Sequence, residues 1–274
     1  MGSPSLARES RPGRPRGARM NETKSGVADR DALATVFAAI ALRAAVPVMR
    51  VYAHGCAPRT KADASPVTEA DEEAEGVILE ALAREAAGIP VVSEEAMSRG
   101  ECPDFDGECI LVDPLDGTRE FLGRNGEFTS NIALARAGAP VCGAIYAPAR
   151  ETLWFAGASA FAVAAKPGDG LPAPATWRGI ATRTPPASGP VALVSRSHLE
   201  ARSEQFLAGR KIVERRAAGS SLKFCLLAQG DADVYPRFGP TMEWDIAAGD
   251  AILRAAGGIV LGEDGQPMKY GSRA

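Results

Sequence analysis

Acidic side chains follow apolar segments at several places in this sequence. The apolar segment 109–112 ends in Asp113, and a turn supplies Asp116 only three residues later. Two carboxylates held this close repel each other at neutral pH, so both must face water or share a cation. Three further stretches place acidic residues at the end or start of an apolar element, and they contain Asp71, Glu94 with Glu95, and Asp245.

The four stretches together predict a metal site. Glu94, Asp113, Asp116 and Asp245 would form an all-oxygen, strongly anionic pocket at strand ends and helix starts, where α/β proteins bind ligands. A hard divalent cation, Mg²⁺ or Mn²⁺, suits such ligands and would hold them together. Without the ion, the cluster should have raised and mutually dependent pKa values.

Each stretch also has a purely structural explanation as a helix cap, a turn or a solvated loop. Asp71 follows Thr68 by three residues, as in a capping box, and Asp245 could be the N-cap of a helix over 246–256. The segment 114–117 suits a tight turn, and the two neighbouring glutamates could face solvent. Only the combination of the four stretches indicates a site.

Gly117 and Thr118 extend the prediction to a phosphate. A turn into a short helix would point their backbone N–H groups at an anion. The Thr118 hydroxyl, oriented by Asp71, could position or deprotonate an attacking water, with Glu94 as a further catalytic group. Bound metal ions would lower the pKa of that water and stabilise the leaving alkoxide. These residues therefore predict metal-dependent hydrolysis of a phosphate monoester, which is very slow without catalysis.

The composition is that of a soluble globular protein. Of the 274 residues, 46% are hydrophobic and 24% charged, and the net charge of -3 offers no general attraction for nucleic acid or anionic membranes. No run approaches the ~20 uninterrupted apolar residues of a membrane span. Five scattered cysteines without a C-x-x-C pair indicate reduced thiols in a cytosolic protein. Two histidines leave little for a zinc or Ser-His-Asp site.

The chain divides into parts of different composition. Residues 1–19 contain five arginines and predict a disordered extension, or a start set too early with Met20 as the true first residue. A nucleic-acid-binding arm and a targeting peptide are the alternatives there. Residues 20–165 predict an N-terminal α+β domain, 166–190 a junction rich in proline and glycine, and 191–274 a C-terminal α/β domain. We expect the site in the cleft between the two domains.

The periodicity of apolar residues predicts the individual elements. In the N-terminal part it predicts helices over 29–52 and after Thr68, strands at 90–92, 110–112, 152–155 and 160–164, and a hairpin of 131–135 with 141–146. In the C-terminal part it predicts strands at 191–194, 211–214, 232–235 and 258–261, and helices at about 199–208, 220–229 and 245–256.

Four segments resemble the signature segments of the inositol-monophosphatase superfamily of Mg²⁺-dependent, lithium-sensitive phosphatases. They are KADASPVTEAD (61–71), EE (94–95), DPLDGT (113–118) and WDIAAG (244–249), in the family's order. The resemblance covers about residues 30–270. It implies a layered α/β/α/β/α sugar-phosphatase sandwich.

A second set of segments is similar to one branch of that superfamily, the 3'(2'),5'-bisphosphate nucleotidases of the CysQ type. The set is RNGEFTSN (124–131), SRSH (195–198), GSSLKFC (219–225) and YPRFGPT (235–241), and inositol phosphatases usually lack the last of these. The branch implies hydrolysis of the 3'-phosphate of adenosine 3',5'-bisphosphate to AMP and phosphate. That reaction clears a by-product of sulfate assimilation and sulfonation.

The resemblance also implies roles for individual residues. The metal ligands would be Glu94, Asp113, the carbonyl of Leu115, Asp116 and Asp245, holding two or three Mg²⁺ ions, with Mn²⁺ as an alternative. Asp71 and Thr118 would activate the water, with help from Glu94. Substrate contacts would come from Gly117, Thr118, His198, Ser220, Lys223, Arg237 and Asp245.

Several of these substrate contacts have structural alternatives. Ser220 and Lys223 lie at i and i+3 of a predicted helix start, so they could share one face toward a second phosphate. They could equally be a helix cap and a solvent-exposed charge, and His198 could be an ordinary loop histidine. Arg237 could bind phosphate through two hydrogen bonds.

The sequence departs from the family at its C-terminus. Relatives usually continue beyond the region 266–270 through a final strand, whereas this chain stops at Ala274. An edge strand of the second sheet is therefore expected to be truncated, which would lower stability or expose a sheet edge.

We expect a small-molecule nucleotide bisphosphate as the binding partner. We expect no stable complex with nucleic acid, no transmembrane segment, and a cytoplasmic location that allows peripheral contact with the inner membrane. Two other functions stay open: a phosphatase for inositol phosphates or other sugar phosphates, and a non-catalytic RNA- or protein-binding regulator. The basic residues 1–19 are the only support for the last.

Overall fold

The structure is a computed structural model that describes residues 24–61, 66–196 and 200–271. The described helices are α1 (Lys24–His54), α2 (Glu69–Glu85), α3 (Glu94–Ser98), α4 (Thr118–Leu122), α5 (Ala201–Ala208), α6 (Leu222–Ala228) and α7 (Glu243–Ala255). The described strands are β1 (Arg59–Thr60), β2 (Pro66–Val67), β3 (Val91–Ser93), β4 (Glu108–Asp116), β5 (Thr129–Arg136), β6 (Ala139–Ala147), β7 (Thr152–Ala156), β8 (Ala160–Ala164), β9 (Arg178–Gly179), β10 (Val191–Ser195) and β11 (Glu214–Ala218).

Seven strands form the central sheet, in the order β3-β4-β5-β6-β7-β8-β9. β3 and β4 are parallel, and every other neighbouring pair in this sheet is antiparallel. β10 and β11 pair in parallel as a separate two-stranded sheet. The parallel pair brings the carboxyl ends of β3 and β4 to the same edge of the central sheet, where Ser93 is opposite Val112.

Apolar residues cover both faces of the central sheet. Along β4, Ile110 and Val112 join the core under α1 and α2, whereas Cys109 and Leu111 join the core with α6 and α7. Successive side chains of a strand point to opposite faces, which produces this alternation. The second core also contains Leu193 of β10, so the small sheet continues the packing beyond α6 and α7. The expected mixed α/β sandwich is confirmed.

Helix α1 is a long core helix. Its stretch from Asp29 to His54, with a hydropathy of 2.0, is long and apolar enough to cross a membrane by length and composition alone. Half of the most apolar window is buried inside the protein, and Phe37, Ile40 and Val48 have no exposed surface. Burial against the sheet explains this apolar composition.

Most predicted elements of the N-terminal part are present. Thr68 and Asp71 form the predicted capping box at the start of α2. The hairpin is β5 with β6, and the strands at 152–155 and 160–164 are β7 and β8. β4 is longer than predicted, because pairing with β5 continues through the expected turn as far as Asp116.

The C-terminal part differs more from the prediction. The strand predicted at 211–214 begins only at Glu214, where the parallel partner Val191 starts. The strands predicted at 232–235 and 258–261 are single bridges, from Val234 to Ala192 and from Leu261 to Pro267. In each segment only one residue pairs in a bridge with a residue of another segment. Apolar composition alone therefore did not predict strand formation correctly.

The boundaries between the predicted parts stay predictions. β9 lies within the predicted junction 166–190 and adds the last strand to the central sheet. α7 lies in the predicted C-terminal part and packs against β4 to β8. The core is therefore continuous across these boundaries.

Candidate active site

The predicted site residues surround one cavity of ≈ 260 Å³. Its walls include ten of the predicted residues, namely Glu94, Asp113, Leu115, Asp116, Gly117, Thr118, Ser220, Lys223, Arg237 and Asp245. Asp71 lies behind the wall, with its Oδ1 3.4 Å from the Thr118 hydroxyl. His198 lies outside the described residues, so its predicted contact is not described.

An irregularity in β4 brings Asp113 and Asp116 to the same side of the sheet. In a regular strand, residues three apart point to opposite faces. Here Asp113 is opposite Asn131 and Asp116 is opposite Thr129, so three steps on β4 match two on β5. Such a bulge changes the direction of the side chains that follow it. Both carboxylates therefore face the cavity.

The turn after β4 depends on Gly117. Its backbone has φ +88°, a left-handed conformation that glycine adopts without strain. A Cβ atom at this position would lie 3.1 Å from the Cβ of Ser220, so the turn also lets the two cavity walls approach closely. The short helix α4 follows at once and begins with Thr118.

Asp71 combines the structural and the chemical roles predicted for it. Its Oδ2 accepts hydrogen bonds from the backbone N–H of Thr68 at 2.8 Å and from the Thr68 hydroxyl at 2.7 Å. The other oxygen, Oδ1, lies near Thr118. The helix cap therefore fixes the carboxylate and leaves one oxygen for the cavity side.

Glu94 begins α3 and pairs with a residue for which the sequence predicted no role. The Lys61 ammonium donates hydrogen bonds to Oε1 of Glu94 and Oε1 of Glu95, each at 2.6 Å. Burial lowers the pKa of Lys61, but the two carboxylates more than offset it, and the net pKa is raised. Glu95 is buried, so the pair of glutamates is not the solvated loop that was the alternative.

Asp116 and Asp245 are both held by residues of the C-terminal part of the chain. Ser221 donates to Oδ2 of Asp116 from its backbone N–H at 2.6 Å and from its hydroxyl at 2.7 Å. Oδ2 of Asp245 accepts from the Met242 N–H at 3.0 Å and the Thr241 hydroxyl at 2.9 Å. Asp245 is thus the third residue of α7, and the prediction that it could be the N-cap is wrong. The helix begins two residues earlier, at Glu243.

The acidic wall is electrostatically strained. Burial, followed by repulsion from neighbouring carboxylates, raises the pKa of Asp245 to about 6 and the pKa of Asp113 well above its usual value. Burial also raises the pKa of Asp71 to about 6 and raises that of Glu94, although Lys61 offsets part of the latter. Clustered carboxylates with raised pKa values gain most from a bound cation.

The donor set fits a hard divalent cation in its chemistry. In Glu94, Asp113, Asp116 and Asp245 one oxygen is held by the protein, and the other accepts no hydrogen bond from a described residue. In the described conformation, however, no three His, Cys, Asp or Glu side chains are arranged to hold one ion. The four carboxylates would have to close on the metal.

The lining of the same cavity also carries positive charge. Lys223 is only 3% exposed, and its ammonium donates to the carbonyls of Ser220 at 2.5 Å and Ala218 at 3.2 Å. Burial lowers its pKa to about 8. The alternative of a solvent-exposed charge is wrong for Lys223, because α6 carries it into the protein. Arg237 also lines the cavity.

Ser220 differs from its prediction as a residue of the helix start. It lies before α6 in a left-handed conformation with φ +43°, and Ser221 is the N-cap. Its hydroxyl accepts a hydrogen bond from that of Thr129 at 3.4 Å. The predicted pairing of Ser220 with Lys223 is therefore made through the serine carbonyl.

Sequence reasoning missed the residues that hold the site residues in place. Ser221 links Asp116 to the carbonyl of Asp245, and Asn131 donates to the Ser221 hydroxyl at 3.0 Å. Lys61, Ser221 and Asn131 all stand inside segments that carry the resemblance, which was the only available signal. Their polar types are common, and only spatial proximity shows their partners.

The comparisons with known proteins agree with this geometry. The model of the inositol monophosphatase family matches residues 29–274. The chain belongs to the inositol monophosphatase family. A relative from Shigella flexneri, named 3'(2'),5'-bisphosphate nucleotidase CysQ, is 43% identical over 237 residues, which are 85% of this chain and 92% of that protein.

Solved structures of this family share the fold. The crystal structure of CysQ from Bacteroides thetaiotaomicron has a TM-score of 0.71 and 38% identity, and the match covers 88% of this chain and 92% of that one. An inositol monophosphatase from Anabaena has a TM-score of 0.69 with 23% identity, and the match covers 88% of each chain. The second likeness supports the fold alone.

Proposed function

We propose that this protein is a 3'(2'),5'-bisphosphate nucleotidase that hydrolyses the 3'-phosphate of adenosine 3',5'-bisphosphate to give AMP and phosphate. The observation that carries the proposal is a cavity lined by clustered carboxylates and also by Lys223 and Arg237. The carboxylates suit a metal-bound phosphate, and the two cations suit a second, unreacted phosphate. The CysQ relatives at 38–43% identity support this substrate class.

The acidic wall would hold Mg²⁺. Glu94, Asp113, the carbonyl of Leu115, Asp116 and Asp245 supply the oxygen donors that this ion prefers. We propose two or three ions, with Mn²⁺ as a substitute. When bound, the ions would lower the pKa of a water molecule and neutralise charge on the reacting phosphate.

The protein's own residues orient the reaction. We propose that Thr118 and Asp71 position the attacking water and accept its proton, because the hydroxyl and Oδ1 lie next to each other. With a pKa of about 6, Asp71 is mainly ionised at neutral pH and can act as the base. Glu94 would assist it from the neighbouring strand end.

The substrate would lie in the cavity that these residues line. The backbone N–H groups of Gly117 and Thr118 would bind the reacting phosphate, and Asp245 would contact the sugar side. Ser220, Lys223 and Arg237 would bind the second phosphate. His198 keeps its predicted substrate contact as a proposal.

The test is phosphate release from adenosine 3',5'-bisphosphate by the metal-free protein with and without added Mg²⁺. We expect turnover only with the ion, and a kcat/KM at least about tenfold above that for inositol phosphate or fructose bisphosphate. Equal rates on inositol phosphate would replace the proposal with the sugar-phosphatase alternative. Absence of turnover on the whole panel would revive a non-catalytic role.

We also propose a cytoplasmic location, in line with the predominance of unpaired cysteines in reducing compartments. The described residues offer no support for the predicted peripheral association with the inner membrane.

A further inference from the structure

Glu127 is a buried carboxylate outside the predicted site, just before β5. Its side chain is 10% exposed and accepts four hydrogen bonds. Arg196 donates from Nε at 2.8 Å and from Nη2 at 3.0 Å, and Arg150 donates from Nη2 at 3.0 Å. The fourth donor is the backbone N–H of Gly219 at 2.8 Å. One carboxylate therefore joins three separate segments of the chain.

The bond to Gly219 connects Glu127 with Lys223 through a single peptide unit. The N–H of Gly219 and the carbonyl of Ala218 belong to the same planar peptide and point in opposite directions. Glu127 holds the N–H end, and the Lys223 ammonium donates to the carbonyl end at 3.2 Å. The backbone N–H of Arg196 also donates to this carbonyl, at 3.3 Å. Rotation of the peptide would break all three contacts, so Glu127 helps to fix the acceptor that receives the lysine.

The surrounding backbone has little freedom to reach this arrangement in another way. A Cβ atom at Gly219 would lie 2.7 Å from Cγ of Glu120 and 2.9 Å from the carbonyl oxygen of Glu127, so the strand end and the loop pack closely. The next residue, Ser220, has φ +43°, a left-handed conformation that is unfavourable for a residue with a side chain. Such a conformation persists where neighbouring contacts hold it.

The charges around Glu127 keep it ionised. Burial raises its pKa, but hydrogen bonds from Arg196 and Gly219 more than offset this, and the net pKa is lowered. An ammonium has three N–H donors, and two of those on Lys223 go to the carbonyls of Ala218 and Ser220. The ammonium nitrogen also lies 5.2 Å from the centre of the Tyr235 ring, and both side chains line the cavity, which leaves the third N–H for that part of the cavity.

We propose that Glu127 is a positioning residue that fixes the Ala218–Gly219 peptide and thereby directs the third N–H of Lys223 at the second phosphate of a bisphosphate substrate. This inference rests on the proposed function, because it assigns Lys223 to the unreacted phosphate. Glu127 itself does not line the cavity.

The test is steady-state kinetics of Glu127→Gln with adenosine 3',5'-bisphosphate and with adenosine 3'-monophosphate, which lacks the second phosphate. We expect KM for the bisphosphate to rise about fivefold or more, with kcat within about twofold of the parent. KM for the monophosphate should change less than about twofold. Equal KM increases for both substrates would overturn the inference.

Calorimetric binding of AMP and of adenosine, in the presence of Mg²⁺, tests the second-phosphate site and the role of Glu127 separately. If the parent binds AMP no tighter than adenosine, the second-phosphate site of the proposed function fails. If the parent discriminates and Glu127→Gln discriminates equally, only the role of Glu127 fails. Loss of discrimination in the variant supports the inference.

Asp233 provides a matched control. It is another carboxylate whose side chain is 1% exposed, and it accepts two hydrogen bonds from Arg183 and one from the backbone N–H of Val191. Asp233→Asn should lower stability without changing the ratio of the two KM values. Arg196→Gln covers the case in which Glu127→Gln does not fold, because Arg196 is 43% exposed. It should give a smaller shift of the same kind, and an unchanged KM ratio would overturn the inference.

Discussion

At the scale of single residues, one oxygen of each site carboxylate is held by hydrogen bonds from the protein, and the other is left for the chemistry of the site. Asp245 shows this most clearly, because Oδ2 caps α7 through Met242 and Thr241 while Oδ1 accepts no hydrogen bond from a described residue. Removing the whole side chain would mix the loss of a cap with the loss of a charge. An amide at the same position separates the two effects.

We predict that Asp245→Asn lowers kcat by about 100-fold or more, because one anionic donor of the acidic wall is lost. The free energy of unfolding without metal should stay equal or rise, since an amide keeps an acceptor for the cap and removes repulsion from the cluster. Asp245→Ala should lose about 1 kcal/mol more, the usual cost of a helix cap. Denaturant unfolding and phosphate release measure these outcomes, and severe unfolding of the asparagine variant would contradict them.

Lys223 makes substrate binding sensitive to alkaline pH. Its pKa is lowered to about 8 by burial, so the ammonium is charged below that pH and neutral above it. We predict that KM for adenosine 3',5'-bisphosphate rises as pH increases through about 8, whereas KM for adenosine 3'-monophosphate stays nearly level. Parallel pH profiles for both substrates would remove Lys223 from the second-phosphate site.

At the scale of elements, two small features bring distant strands and helices together. The bulge in β4 turns Asp116 to the side of Asp113, and the packing of α7 on α6 and on β4 to β8 places Asp245 near them. Gly249 permits that helix contact, because a Cβ atom there would overlap with the ring of Phe224.

We predict that Gly249→Ala destabilises the protein by about 1–3 kcal/mol, the usual cost of overpacking a core. Displacement of α7 should also lower kcat, since Asp245 lies one turn before Gly249. Thermal unfolding and phosphate release test both effects in one preparation. An unchanged melting temperature would show that α6 and α7 can separate without cost.

Gly76 is a second helical glycine, but here a change to alanine should stabilise the protein. It lies on the exposed side of α2, and a Cβ atom there would meet nothing within 4 Å. Gly76→Ala should therefore stabilise the protein by about 0.5–1 kcal/mol through helix propensity, with no effect on kcat.

At the scale of the whole molecule, two hydrophobic cores hold an anionic cluster in place. The raised pKa values of Asp71 and Asp245, about 6 each, mean that the folded state binds more protons than the unfolded state between about pH 4 and pH 6. The contribution of this cluster to the free energy of unfolding is therefore most favourable below about pH 4, falls as pH rises from about 4 to 6, and stays level above that range.

We predict that Mg²⁺ raises the melting temperature of the EDTA-treated protein more at about pH 7.5 than at about pH 5. At the lower pH, protons already neutralise the cluster and compete with the ion. Scanning calorimetry at both pH values with and without Mg²⁺ provides the measurement, with Ca²⁺-free buffers throughout. An equal increase at both pH values would mean that the ion binds elsewhere.

Local patterns account for what could be predicted about the fold. The cap of α2, the β5–β6 hairpin and the strands β7 and β8 follow from periodicity and capping within a few residues. The segments 232–235 and 258–261 were predicted wrongly because a strand needs a partner in register, and that partner is set by the rest of the chain.

The sequence by itself determined the family, the order of the main elements and the acidic residues of the site, because residue types and short spacings carry that information. Only the tertiary structure decided that Asp116 is held by Ser221, 105 residues away, and that Lys223 is buried. It also decided which oxygen of each carboxylate faces the cavity. Such contacts depend on how separate elements pack, and no local spacing specifies them.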